Sequence, residues 1–87
     1  VKGYIIYYVY IVHCADNTLY TGICTHIERR VLEHNTSSRG AKYTRSRRPV
    51  SLLYHEPHPD RSSASKREYQ IKKKMTKKEK WALIEQS

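Results

Sequence analysis

The chain has 87 residues, with 17 Lys and Arg against 8 Asp and Glu, a formal charge of +9 at pH 7. That length makes a single domain, residues 1–87, whose modest core supports only a few kcal/mol of stability. No apolar run approaches the roughly 20 residues that span a bilayer, so no membrane role is expected, and the charge surplus favours a polyanionic partner, with nucleic acid ahead of a lipid surface.

The opening stretch from Tyr4 to Val12 is aromatic and β-branched with no small-residue cleavage pattern after it, and it reads as a strand and not a signal peptide. Residues 5–13 and 18–24 flank Ala15-Asp16-Asn17 and form a β-hairpin by composition. A three-residue loop with Asn17 left-handed would set Val12 opposite Tyr20 and Tyr10 opposite Gly22. The period of two then separates a core face, Val9, Ile11, Leu19 and Ile23, from a working face, Tyr8, Tyr10, Tyr20 and Gly22. A two-residue turn would split Tyr10 from Tyr20. Cys14 and Cys24 lie about 20 Å apart along this hairpin, too far to bond within one chain. They are also too few for a disulfide framework or a zinc site, so free thiols and a cytoplasmic location are expected.

Thr25-His26-Ile27-Glu28 fits a capping box, which predicts a helix from His26 to about Asn35 with Ile27 and Val31 on its apolar stripe. Arg30 and His34 share a neighbouring face one turn apart. A basic, Ser-rich loop from Thr36 to Arg48 has room for one short helical turn. Pro49 then admits a third strand, Val50 to Glu56, closed by Pro57 and Pro59. Asp60 or Ser62 can cap a helix running to about Lys74, and Thr76-Lys77-Lys78-Glu79 is a second capping box, opening a last helix that can bury Trp81 and Ile84. The order is ββα-β-αα, an α/β (α+β) domain with a three-stranded, mostly antiparallel sheet flanked by helices.

Glu68 is the sharpest single position. Ala64, Glu68, Ile71 and Met75 are spaced by three or four, which puts a carboxylate on the inward stripe of its helix. Burying it costs several kcal/mol unless it meets a metal ion or a cationic side chain, and both partners stay open. Arg30 beside His34 is a weaker signal, since most helical arginines are simply solvated. Eight tyrosines and no phenylalanine point to hydroxyls with work to do, without saying which. Between Arg39 and Arg48 lie Arg39, Lys42, Arg45, Arg47 and Arg48 with Tyr43 among them and no acid. Such a segment can position phosphates and stack a base, or stay a mobile charged loop. The lysines at 72–74, 77, 78 and 80 form a second basic cluster that reads more as a charged surface. Cys24 with His26, and His55 and His58 with Asp60, are weak as a thiol–imidazole couple and a metal site; Pro57 and Pro59 make the latter stretch look like a turn.

Five motifs in order, over about residues 7–85, resemble the GIY-YIG nuclease family, specifically its small stand-alone bacterial domains of the YhbQ-like (UPF0213) type. These are related to the amino-terminal nuclease domain of the excinuclease C subunit. Tyr8-Val9-Tyr10 stands at the first motif, Tyr20-Thr21-Gly22 at the second, and Glu28-Arg29-Arg30 with His34 at the helix motif. Gly40 to Arg45 with Arg47, Arg48 and Pro49 matches a segment of the stand-alone group, and Arg67-Glu68 with Ile71-Lys72-Lys73 the helix bearing the metal-binding glutamate. The sequence departs from the family in having Tyr8 for glycine, Ile23 where some members have lysine, and no asparagine after Asn35.

The resemblance implies roles. Tyr10 would be the general base for the attacking water, or orient it. Tyr20 would contact the scissile phosphate or shape the water site, Arg30 neutralise the growing phosphate charge, and His34 hydrogen-bond the phosphate or assist proton transfer. Glu68 would bind one divalent cation, Mg²⁺ with Mn²⁺ as the alternative. The implied activity is metal-dependent hydrolysis of DNA at branched, nicked or single-stranded features in DNA repair. RNA remains a second substrate class, and the protein is expected to be monomeric with a repair protein as a further partner. The alternative is a nucleic-acid-binding module that keeps the fold with little or no cleavage.

Overall fold

The protein is described by a computed structural model over residues 5–87; residues 1–4, including the Tyr4 end of the predicted opening strand, lie outside the described residues. Strand β1 (Tyr7–His13) turns through Asn17, the non-glycine residue with positive φ (68°), into β2 (Leu19–Cys24). The pairing is antiparallel, with Tyr10 opposite Gly22 and Val12 opposite Tyr20, the register that a left-handed Asn17 predicts. Asn17 tolerates that conformation where a β-branched residue would be strained.

Helix α1 (Ile27–Thr36) begins one residue later than the capping-box reading requires. His26, not Thr25, is the cap: its Nδ1 accepts from the Arg29 backbone N–H at 3.3 Å. The predicted helical turn in the basic loop is α2 (Lys42–Arg45). Strand β3 (Ser51–His58) runs two residues beyond the predicted stop, straight through Pro57. The sheet order β2-β1-β3 leaves β3 at an edge, where a proline needs no ladder donor on its open side. That edge position also explains why His55 and His58 sit in a strand and not a turn.

Asp60 caps α3 (Arg61–Tyr69), accepting from the Ser63 N–H at 2.8 Å. The helix predicted to continue to Lys74 instead widens into a π-helical turn over Gln70–Lys74. The last helix, α4 (Lys77–Gln86), carries the full capping box of Thr76 and Glu79. Its Trp81 and Ile84 are half-buried where burial was expected, because α4 lies over the rim of the core.

The strand alternation gives the sheet two covered faces. Val9 and Ile11 pack with Ala64 and Ile71, joined by Tyr54, Met75, Leu83 and Ile84. Tyr10, Val12, Cys14 and Val50 pack on the opposite face with Ile27, Val31 and Leu52. Helices α3 and α4 therefore serve one face and α1 the other. On the first face Arg67 of α3 is locked to β3 by Glu56, its Nε 3.1 Å from Glu56 Oε2. Burial alone would raise the Glu56 pKa, but hydrogen bonds from Tyr54 and His58 and the Arg67 charge outweigh it and hold the carboxyl below its ordinary range. The neighbour of Arg67 in sequence is Glu68, so this lock also sets where that carboxylate can reach.

Thr76→Ala removes one half of the α4 capping box. Urea unfolding of this variant should show a loss of about 1 kcal/mol, with the slope of the transition unchanged.

Candidate active site

The site is floored by a close approach. Tyr10, 1% exposed, lies across Gly22; a Cβ at position 22 would sit 2.6 Å from the Tyr10 hydroxyl oxygen and 2.7 Å from Cζ. Only glycine lets the phenol lie flat over β2. Two side chains descend on that hydroxyl from α1. His34 Nε2 is 2.7 Å from it, and Arg30 Nε donates to it at 3.4 Å. His34 is wholly buried, and its other ring nitrogen, Nδ1, is 2.8 Å from the hydroxyl of buried Thr44 on α2.

The basic loop reaches this position because several contacts clamp it to α1. Gly40 passes so close that a Cβ would lie 2.7 Å from the Glu33 carbonyl oxygen and 2.9 Å from His34 Cα. Arg30 Nη1 donates to the Arg39 carbonyl at 2.8 Å. Asn35 exchanges two hydrogen bonds with the backbone of Val50, at 3.0 and 2.7 Å. Arg48 donates to the carbonyls of His34 and Ser37, groups that a helix end leaves without intrahelical partners.

Tyr20 stands above this floor, its ring 6.5 Å from Tyr10 and 5.4 Å from His34 between centroids. Tyr43 stacks on it at 5.8 Å and 26°, and the Arg47 guanidinium lies 3.9 Å from the Tyr43 ring centre. From across the β2 edge, Lys72 brings Nζ to 5.3 Å from the Tyr20 ring centre. Glu68 is close enough for its charge to push the Tyr20 pKa up, adding to the larger effect of burial, while Arg30 pulls it down. Among the described residues, neither the Tyr20 hydroxyl nor the Glu68 carboxylate has a hydrogen-bond or ion-pair partner in the protein. The arginine pairing left open for Glu68 is thus not made; Arg67 goes to Glu56.

The predicted site residues Tyr10, Tyr20, Arg30, His34 and Glu68 are brought together, though not as equals. His34 is buried with both ring nitrogens engaged, so it does not face a phosphate. Burial, reinforced by the Arg30 charge, lowers its pKa to about 4, and the imidazole is neutral at neutral pH. Burial also drives the Tyr10 pKa up, against the opposing pull of Arg30, so its phenol keeps its proton. Of the predicted nucleic-acid contacts, Arg39, Lys42 and Arg45 are exposed and Tyr43 is 39% exposed. Arg47 and Arg48 depart from that expectation. Arg47 is held by Asp16 at 2.9 Å and the Tyr43 carbonyl at 2.8 Å, and Arg48 by the end of α1. A count of charges cannot tell a guanidinium open to phosphate from one already on carbonyls.

Two residues escaped the sequence reading. Thr44 lies on the four-residue helix α2 and Gly40 in the loop before it, stretches too short to show a periodicity. The Cys24 thiol and the His26 imidazole form no couple, since His26 caps α1.

Among the described residues, no three His, Cys, Asp or Glu side chains gather as a metal site. An unpaired single carboxylate still fits a hard cation such as Mg²⁺, which binds through one or two carboxylates and completes its shell with water and substrate phosphate.

The family profile of the GIY-YIG catalytic domain matches residues 6–81. The chain belongs to the GIY-YIG family. It is 54% identical over 80 residues to a UPF0213 protein of Syntrophus aciditrophicus, covering 92% of this chain and 91% of that one. A UPF0213 protein of Desulfotalea psychrophila is 68% identical over 66 residues, which is 76% of this chain but only 60% of that relative's length. The solution NMR structure of a UPF0213 protein from Bacillus halodurans superposes with a TM-score of 0.60 at 36% identity, covering 94% of this chain and 85% of that one. A protein from E. faecalis gives 0.63 at 36% identity, with 99% and 90% covered. The α+β fold of this GIY-YIG domain is therefore that of its solved relatives, and its superfamily is one of nucleases.

Two outcomes follow from the floor of the site. Gly22→Ala should force Tyr10 aside and cost about 1–3 kcal/mol, read as a lower urea midpoint. Between about pH 6.5 and about pH 4 the unfolded chain binds a proton at His34 that the folded chain refuses. Stability should therefore be full above that window and fall as pH drops through it. Unfolding of the wild type and of His34→Asn, compared at neutral pH and midway through the window, should show a shallower pH dependence in the variant.

Proposed function

We propose that this GIY-YIG domain is a metal-dependent endonuclease hydrolysing DNA phosphodiester bonds, at branched, nicked or single-stranded features. The observation that carries this reading is the meeting of three groups from three elements. The Tyr20 hydroxyl from β2 and the Glu68 carboxylate from α3, both without a partner among the described residues, lie near enough to the Arg30 guanidinium from α1 that the two charges act on Tyr20 in opposite directions.

Each supplies what phosphodiester hydrolysis needs. Arg30 is anchored by Tyr10, Glu33 and the Arg39 carbonyl and meets the charge growing on the phosphate oxygens. Tyr20, whose hydroxyl has no partner among the described residues, orients the attacking water against the phosphorus. Tyr10 was expected as the general base; buried, and with its proton retained, it serves better as the anchor of Arg30 and His34. Glu68 would hold Mg²⁺ or Mn²⁺, which when bound supplies Lewis acidity to the water and the leaving oxygen. Exposed Arg39, Lys42, Arg45 and Tyr43 on one side of the cleft and Lys72 on the other give the polyanion its track. Contacts from arginine and lysine to phosphates carry no sequence information directly, which favours structural features of DNA over sequence.

The test uses labelled branched, nicked and single-stranded DNA with Mg²⁺ or Mn²⁺. Glu68→Gln and Tyr20→Phe should each lose about 10²–10³ in cleavage rate while retaining DNA binding. Binding by the wild type with no cutting under either metal would leave the chain a nucleic-acid-binding module instead.

A further inference from the structure

We propose that Thr44 is a positioning residue that sets the tautomer of His34 and, through Tyr10, the polarity of the hydrogen-bond chain holding Arg30. The inference deepens the hydrolytic reading, and only its rate measurement rests on that reading.

The chain runs through four side chains with few protons to share. Thr44 Oγ1 lies 2.8 Å from His34 Nδ1 and 2.9 Å from the Ala41 carbonyl oxygen, its only acceptor among the described residues other than the imidazole. If the threonine proton goes to the carbonyl, Oγ1 must accept from His34 Nδ1–H. Nε2 is then a bare acceptor, and the Tyr10 O–H donates to it at 2.7 Å. The Tyr10 oxygen lone pairs are left to Arg30 Nε–H at 3.4 Å. Every side-chain proton of the chain has an acceptor, only the Ala41 N–H giving up its long 3.4 Å contact with Nδ1, and the order reads Arg30 to Tyr10 to His34 to Thr44 to Ala41.

The opposite tautomer strands a proton at a buried link of the chain. With the proton on Nε2, the imidazole donates to the Tyr10 oxygen, and Nδ1 accepts from Thr44 and from the Ala41 N–H at 3.4 Å. The Ala41 carbonyl loses its threonine donor but keeps the backbone N–H groups of Thr44 and Arg45, at 3.1 and 3.2 Å. The Tyr10 proton then has no acceptor and must turn toward the side from which Arg30 approaches. Tyr10 is 1% exposed and His34 0%, so water does not readily take up that proton. The buried Tyr10 proton therefore favours the Nδ1–H form over a long backbone contact, and the threonine hydroxyl is the group that permits that form, as the acceptor of Nδ1–H. Clamped in place by Gly40 and Arg48, it acts on Arg30 from three side chains away.

Removing the hydroxyl while keeping the shape should reverse the chain. In Thr44→Val the remaining polar neighbour of Nδ1 is the Ala41 N–H, a donor, so the proton should move to Nε2. Long-range nitrogen NMR of the imidazole reads this directly at neutral pH. Wild type and Thr44→Ser should show protonated Nδ1 and bare Nε2, and Thr44→Val the reverse. In the cleavage assay Thr44→Val should lose on the order of 10²-fold in kcat, and Thr44→Ser should stay near wild type. A wild-type spectrum with the proton on Nε2, or a Thr44→Val spectrum unchanged from wild type, would overturn the proposal. Should Thr44→Val fail to fold, the wild-type and Thr44→Ser spectra decide it. A wild type that cuts no DNA but shows protonated Nδ1 would count against the hydrolytic reading and still support the role of Thr44.

Discussion

The buried hydrogen bond between the Tyr10 hydroxyl and His34 joins the sheet to the first helix at the point where the cleft begins. Two polar groups withdrawn from water are tolerable only if all their capacity is met, and that demand reaches well beyond the pair. It requires glycine at position 22, because the phenol must lie flat. It also requires the loop after α1 to come back, because Nδ1 needs Thr44. The order of a polar, basic segment thus follows from a constraint set inside the molecule, with Gly40, Asn35 and Arg48 as the fasteners. A loop that looks like a solvated arm is part of the wall.

The electrostatics of the site follow from the same burial. In a chain of net charge +9, the groups deepest in the cleft are neutral. Charge is confined to its mouth. Arg30 is the intermediate case. Its Nη1 is shared between Glu33, 3.0 Å away, and the Arg39 carbonyl, while its Nε rests on Tyr10. Glu33 therefore balances the guanidinium, and under the proposed hydrolytic reading a phosphate would compete with a half-buried carboxylate, not with bulk water alone. This arrangement holds a cation ready without letting it collapse onto Tyr10 or repel His34 into another conformation.

The sequence made the hairpin readable because its signals agree. Period-two alternation, an asparagine suited to positive φ and β-branched composition all specify one register, and that register alone brings Tyr10 over Gly22. The helix bearing Glu68 was readable for a similar reason, since Ala64 and Ile71 mark its buried stripe. What stayed hidden lies where no period operates. Thr44 is one threonine on a four-residue helical turn, too short to show a period, and its burial follows from the contacts that Gly40 and Arg48 make with the end of α1. Arg47 and Arg48 were misjudged for a related reason: their partners are an aspartate in the hairpin turn and backbone carbonyls, which composition cannot assign. The cap of α1 differed because a histidine nitrogen did the work usually given to a hydroxyl.

The third helix carries two obligations that an unbroken α-helix would serve less well. Ala64 and Ile71 must fill the core under β1, while Glu68 and Lys72 must come round the β2 edge to Tyr20. The π-helical turn starts two residues after Glu68, and it adds a residue to the turn that holds both Ile71 and Lys72. That wider turn changes the angular relation between positions before and after it, so the core stripe and the cleft stripe need not keep the 3.6-residue period. Ile71 stays wholly buried while the adjacent Lys72 reaches the tyrosine ring, and Met75 beyond the turn still packs on the core. Straightening the turn would rotate one stripe away from its target, and the Arg67–Glu56 lock on β3 prevents the helix from rotating as a whole to compensate. The carboxylate at the cleft and the core beneath it are therefore coupled through the geometry of five residues.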